Sequence, residues 1–278
     1  MGLIYCELLV LVLRLSMMKK MRLDALLTDR SLVESRNKAQ ALIMAGKVRV
    51  NDQVITKAGT QIPLEAKIDI ESGLPYVSRG GLKLLAAIKT FALNPADLVC
   101  VDVGASTGGF TDVLLQHGAA RVYAIDVGYG QLAWKLRQDK RVIVMERTNA
   151  RHLSTLPETI NLVTIDASFI SLTLILPVIK NWLATPASVV ALVKPQFEAG
   201  KGQVGKGGVV RDRDIHRQVL GKIVNCGLEQ GFCLLGIRPS PLTGPAGNHE
   251  FLLYLGWHTL ADELDVATEI EGCLSQLD

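Results

Sequence analysis

The stretch "LVCVDVGASTGGFTDVLL", Leu98 to Leu115, decides the fold. It reads as a short apolar strand, a glycine-rich turn and the start of a helix. The alternation continues down the chain. Further strands are read at "RVYAID", "VIVM", "NLVTID", "SVVALV", "CLLGI" and "FLLYL". Near-continuous apolar runs mean strands covered on both faces, hence a largely parallel sheet flanked by helices. The expected fold class is α/β with a Rossmann-like sheet. Ligands of such sheets bind beyond the carboxyl ends of the strands, so the loops there hold the candidate site.

The glycines of the opening stretch are spaced G-x-x-x-G-G (Gly104, Gly108, Gly109). A nicotinamide dinucleotide site needs G-x-G-x-x-G to set a helix N-terminus against pyrophosphate. Here an acidic residue, Asp102, stands at the strand end; it opposes a pyrophosphate and suits a cationic ligand. The next strand ends in Asp126, a carboxylate placed to hold both hydroxyls of an adenosine ribose. Asn149, after the third strand, is placed for the adenine edge. Together these residues resemble the cofactor site of S-adenosylmethionine-dependent methyltransferases. The cofactor set is completed by Ser106 and Phe110 within the same loop. Phe110 and Phe169 are read as packing residues, and aromatic content of 5% argues against a broad stacking platform.

Four ionisable side chains gather around the same edge in this reading. Asp166 ends "NLVTID", Lys194 ends "SVVALV", Glu250 opens "FLLYL", and Lys83 lies in "SRGGLKL" before the first strand. The set Lys83, Asp166, Lys194, Glu250 resembles the K-D-K-E tetrad of ribose 2′-O-methyltransferases of the FtsJ type, which implies methyl transfer to a ribose hydroxyl. Such a transfer needs the oxygen positioned and its proton removed. A free lysine, with a pKa of about 10.4, is a poor base at neutral pH. Burial and a second lysine favour the neutral amine, whereas two carboxylates oppose it. Under that resemblance Lys194 is base or orienter of the hydroxyl, with Lys83 beside it and Asp166 and Glu250 holding the amines.

The basic excess lies upstream. From Lys19 to Lys83 there are 12 Lys and Arg against 7 Asp and Glu; the whole chain carries only +3. Within this region "RLDALLTDRSLVESRNKAQALIMAGKVRVNDQVIT", Arg22 to Thr56, reads as helix, turn, helix, hairpin. Leu23, Leu26 and Leu27 share a helix face. Ser31 with Glu34 forms a capping-box pattern for the second helix, and Gly46 ends it. "ND" makes the hairpin turn. This segment resembles the S4 RNA-binding domain, a small α+β unit, with Asp52 where glycine is frequent. Arg30, Arg36, Lys38, Lys47 and Arg49 are its candidate RNA contacts. Arg79 and the basic glycine loop "EAGKGQVGKGGVVRDRD", with Lys201, Lys206, Arg211 and Arg213, are further ones, the loop being read as a mobile lid.

An S4-like domain joined to such a methyltransferase resembles the TlyA (haemolysin A) family. "SRGGLKL", "DVGASTGGFTDVLLQ", "VKPQFE", "GKGGVVRD" and "GNHE" carry that resemblance. It implies cytidine 2′-O-methylation of ribosomal RNA with S-adenosylmethionine as cofactor. A non-catalytic ribosome-assembly factor and a membrane-active haemolysin are the competing readings. The expected divisions are an apolar extension at 1–18, the S4-like domain at 19–77, the methyltransferase at 78–258 and an acidic helix or tail at 259–278. The opening apolar run is too short to span a membrane, and its basic pair follows it instead of preceding it, unlike a signal peptide. Translation starting near Met17, Met18 or Met21 would leave it out. Five scattered cysteines and five scattered histidines show no metal-ligand pattern and suit a reducing cytoplasm. No metal and no stable membrane insertion are expected.

Overall fold

The computed structural model describes residues 19–71, 75–200, 202–259 and 264–277. The chain divides after Pro75 into two compact units.

The first unit runs β1 (Lys20–Arg22), α1 (Leu23–Asp29), α2 (Arg36–Met44), β2 (Val48–Val50), β3 (Gln53–Val54), β4 (Gln61–Pro63) and β5 (Ile68–Ile70). β1 pairs with β4, and β3, β2 and β5 form a second small sheet. Leu23, Leu26 and Leu27 of α1 are buried against Ala39 and Ile43 of α2. The helix α2 starts later than its sequence pattern suggests. Its N-cap is Ser35, whose hydroxyl accepts from Lys38 N. Ser31 instead occupies a left-handed turn at φ 55°, which removes it from a capping position. Gly46, at φ +69°, ends α2 as expected, with Gly46 N–H bonded to Ile43 O and Lys47 N–H to Leu42 O. Asn51 and Asp52 both take positive φ, 46° and 65°, the geometry of a two-residue primed turn joining β2 to β3.

The second unit is a seven-stranded sheet. Its strands are β6 (Val99–Val103), β7 (Arg121–Ile125), β8 (Val142–Met145), β9 (Ile160–Ile165), β10 (Leu183–Val193), β11 (Phe232–Pro239) and β12 (Phe251–Trp257). The order is β11-β12-β10-β9-β6-β7-β8. β6 to β10 are mutually parallel, and β12 runs antiparallel between β10 and β11. The strands are buried on both faces. Val101, Val103, Val163 and Ile165 pack on one side, beneath α5 (Arg213–Glu229) and α6 (Val266–Leu274). Cys100, Val122, Leu162 and Val190 pack on the other, with α3 (Gly81–Thr90) and α4 (Gly109–Gln116). The acidic end of the chain therefore belongs to this core: Ile270, Cys273 and Leu274 of α6 are buried in it.

This topology fixes where a ligand can sit. The chain moves outward from β6 to β7 and β8, then returns to lay β9 on the other side of β6. The crevice between the carboxyl ends of β6 and β9 is the topological switch point. Gly104 follows β6 and Asp166 follows β9. A Cβ on Gly104, whose φ is +83°, would lie 2.6 Å from the carbonyl oxygen of Asp166, so this close approach requires glycine. Because β12 is antiparallel, its beginning lies at the same edge, and Val193 pairs with Phe251. That register sets Glu250 beside Lys194.

Candidate active site

Two cavities open at this edge. The larger, about 810 Å³, is lined by Gly104, Ser106, Asp126, Gln131, Asn149 and Phe169 among others. The smaller, about 190 Å³, is lined by Ser78, Gly80, Asp102, Gly109, Phe110 and Lys194 among others. Gly104, Ser106, Asp166 and Ser168 line both.

The glycine loop is held from two sides. Gly108 adopts φ +94° as the residue before α4, and a Cβ there would meet Leu136 at 2.2 Å. A Cβ on Gly109 would meet Ser78 Oγ at 2.3 Å. These glycines serve internal packing as well as the cavity. Ser106 N–H donates to Asp126 Oδ2 at 2.8 Å, and Gly128 N–H donates to Asp126 Oδ1 at 2.6 Å. Asp126 thus ties its own loop to the glycine loop while facing the larger cavity. Asn149 accepts from Arg151 N–H at 3.0 Å and stays exposed. Phe110 is buried in the core and also lines the smaller cavity.

Asp102 is fully buried. Oδ2 accepts from Thr111 N–H at 2.9 Å and from Thr111 Oγ1 at 2.6 Å. Oδ1 has no hydrogen-bond partner. Burial pushes its pKa up to about 7 against the help of Thr111, and nearby Asp166 adds to the rise. A cation delivered to Oδ1 would relieve that cost.

The four ionisable groups form two ion pairs. Lys194 Nζ lies 2.6 Å from Asp166 Oδ1 and donates to Ser168 Oγ at 3.0 Å. Lys83, in the first turn of α3, pairs with Glu250 Oε2. The side chains of Lys83 and Glu250 are 12% and 2% exposed. Lys194 and Asp166 line the smaller cavity, whereas Lys83 and Glu250 line neither of the two. Lys194 directly follows β10 and Glu250 directly precedes β12, next to the paired residues Val193 and Phe251, so the two ion pairs are neighbours along one rim.

Several further groups stand at this edge, two of them inside quoted strings, Ser78 in "SRGGLKL" and Asn248 in "GNHE", where residue type alone assigns them no role. Ser168 and Ser78 are single serines. Asn248, buried, donates to Gly208 O and accepts from Val210 N–H, each at 2.9 Å. It pins the glycine loop, and Val209 and Val210 are buried, so this part is not the free lid that the sequence suggests. Arg213 donates through one guanidinium nitrogen to Leu274 O and Leu277 O while remaining exposed. Lys206, Arg211 and Arg79 are exposed. Lys201 lies outside the described residues. Phe169 departs most from expectation: it is 90% exposed, at φ 62°, with its ring 4.8 Å from that of Phe197.

In the first unit the candidate RNA contacts separate into two groups. Arg30 donates to the carbonyls of Leu64 and Ala66, and Arg36 pairs with buried Asp24 at 3.0 Å. Both arginines have partners within the unit, and the Arg36 side chain stays 53% exposed. Lys38 pairs with Glu34 on the surface, and Arg49 donates to Asp52 O while remaining exposed. Lys47 is half-buried, with no charged partner among the described residues. Among the described residues no cluster of metal-ligating side chains occurs, and no helix is long and apolar enough to cross a membrane. The apolar opening lies outside the described residues.

Comparison with known proteins defines the class first. The FtsJ-like methyltransferase family matches residues 76–257 and the S4 domain family matches residues 21–68. Bacillus subtilis YqxC, which carries an rRNA methyltransferase name, is 50% identical over 86% of each chain. The 16S/23S rRNA (cytidine-2′-O)-methyltransferase TlyA of Mycobacterium tuberculosis is 47% identical, covering 87% of this chain and 92% of its own. A solved chain from Streptococcus thermophilus that carries the hemolysin name is 44% identical, covers 93% of this chain and 96% of that one, and superposes with a TM-score of 0.70. The chain belongs to the TlyA/hemolysin A family, an S4 domain followed by an FtsJ-like methyltransferase domain. S-adenosylmethionine is its cofactor. The cavities fit that group: an acidic, partnerless oxygen on Asp102 suits a cationic end, and the larger cavity accommodates the adenosine.

Proposed function

We propose that this protein methylates the 2′-oxygen of a ribose in ribosomal RNA, at cytidine as in the TlyA relative. The observation that carries the reading is the Lys194–Asp166 pair on the wall of the smaller cavity, one step along the same rim from the adenosine-sized one. Bound S-adenosylmethionine supplies a methyl group on an electrophilic sulfonium. Asp126 holds the ribose hydroxyls of the adenosine and Asn149 meets its base edge. Asp102 Oδ1 takes the ammonium of the amino-acid end. On the RNA side, Lys194 orients the 2′-hydroxyl. The Lys194–Asp166 pair takes up the proton as the new O–C bond forms and the S–C bond breaks. Lys83 and Glu250, buried behind, keep Lys194 in place through Glu250, its neighbour across β10 and β12. Phe169 and Phe197 offer an aromatic face to the substrate base.

RNA capture falls to the first unit, through Lys38, Lys47 and Arg49, with Arg79, Lys206 and Arg211 serving on the second. A ribosomal substrate places the work in the cytoplasm. The test is Lys194→Ala. Transfer from labelled S-adenosylmethionine to ribosomal subunits should fall at least 100-fold. Affinity for S-adenosylhomocysteine should stay within about twofold, because Lys194 only borders the cofactor's space. Full activity in this variant would remove Lys194 from its assigned role.

A further inference from the structure

The loop after β9 is gripped twice by one short segment. At its start, Lys194 holds Asp166 and Ser168. At its end stands Glu198, the last residue of the one-turn helix Pro195–Glu198, with its side chain 2% exposed. Glu198 Oε2 accepts from Ser171 Oγ at 2.5 Å and Oε1 accepts from Leu172 N–H at 2.7 Å. Lys222 of α5 donates to the Glu198 carbonyl, and its ammonium lies 3.9 Å from Oε2. Between the two grips Phe169 sits in the left-handed region at φ 62°, a conformation that is strained for a bulky residue and persists only where its surroundings impose it. Capping alone does not explain Glu198. The turn Leu172–Leu174 already has its cap in Ser171, whose Oγ accepts from Thr173 N–H at 3.2 Å.

We propose that Glu198 is a positioning residue for methyl transfer: its carboxylate fixes the loop Asp166–Leu172 so that Ser168 and Phe169 stand at the cavity mouth in register with Lys194. The inference rests on the ribose-methylation reading. Two donors, a hydroxyl and an amide N–H, converge on the Glu198 carboxylate. Glutamine in its place keeps one acceptor oxygen for Leu172 N–H, removes the charge and makes Ser171 Oγ accept from an NH2 group instead of donating, at nearly unchanged volume.

The experiment compares the full-length wild type with Glu198→Gln, Ser171→Ala, Phe169→Leu and the Glu198→Gln/Phe169→Leu double variant. The assay follows labelled methyl transfer to ribosomal subunits prepared without this modification. Failure of the wild type to methylate ribose overturns the parent reading and the inference with it. Given wild-type transfer, Glu198→Gln should lower kcat about 10- to 100-fold, as misplacement on the scale of an ångström does. Its melting temperature and its affinity for S-adenosylhomocysteine should match the wild type. Ser171→Ala should show the same signature in smaller measure, and it carries the test if Glu198→Gln does not fold. In the Phe169→Leu background the Glu198 effect should largely vanish, since both act through one loop. An unchanged kcat, or a loss that follows melting temperature or cofactor affinity, overturns the inference.

Discussion

Each unit of the molecule holds a fully buried aspartate, and the two are treated in opposite ways. In the first unit Asp24 receives Arg22, Arg36, Gln40 and the N–H of Ala25. The Arg22 guanidinium, bonded to it, holds its carboxyl well below the usual range, with Gln40 and Arg36 adding to the effect against burial. In the second unit Asp102 receives only Thr111, on one oxygen. Burial drives it upward to about 7. A buried charge that serves the fold is surrounded by donors from its own chain. A buried charge left short of donors, on a cavity wall at a topological switch point, is waiting for a ligand.

Asp102→Asn is the strongest way to break this contrast. A raised carboxyl pKa opposes folding where the group ionises. The penalty is absent below the ordinary value near 4, grows as pH rises toward 7, and is complete above. It amounts to ~4 kcal/mol for a shift of this size. Without cofactor, the variant should be more stable than the wild type at pH 8, and the difference should shrink toward pH 4, as read by denaturant midpoints. It should also bind S-adenosylmethionine about tenfold or more weakly. Wild-type affinity should rise as pH passes up through about 7, and the variant's should not.

Asp24→Asn should act in the other direction. Its loss costs the first unit about 3 kcal/mol at pH 7, because hydrogen bonds to a charged group are lost. A lowered pKa contributes stability above the ordinary value and loses it as pH falls further. The gap between wild type and variant should therefore close below about pH 4. Equal stability of the two at pH 7 would show that the arginine cluster is ornamental.

A smaller effect sharpens the same comparison on the RNA side. Lys47→Glu with Arg49→Glu should weaken RNA binding about tenfold and reduce the salt dependence by roughly one to two contacts. The fold should be unaffected. Arg36→Glu should appear first as a lower melting temperature, since its guanidinium is bonded to Asp24. The reverse pattern would reassign the RNA surface.

Much of this arrangement was legible in the chain. Every expected strand of the sheet is present, because apolar runs buried on both faces announce themselves. The placing of Asp102 near the end of β6 and of Asp126, Asp166 and Lys194 directly after β7, β9 and β10 also follows from sequence order. What was illegible depended on distant partners. Ser31 and Ser35 are both credible caps locally, and only the turn at Ser31 decides between them. Arg30 resembles any surface arginine until Leu64 and Ala66 come within reach of it. Phe169 resembles a core residue, yet its left-handed backbone turns it outward. Glu198 ends a single helical turn and Asn248 lies in a loop, both too short for periodicity to apply, and their partners lie 24 to 40 residues away. The antiparallel insertion of β12, which carries Glu250 to the rim, leaves no mark on its apolar pattern.

The most direct measurement is the position of the transferred methyl group. Ribosomal subunits lacking the modification are incubated with the protein and labelled S-adenosylmethionine, and the RNA is digested to nucleosides. The label should reside on the 2′-oxygen of a cytidine ribose with the wild type, and be absent with Lys194→Ala. A label on a base, or an equal yield from the variant, would contradict the account.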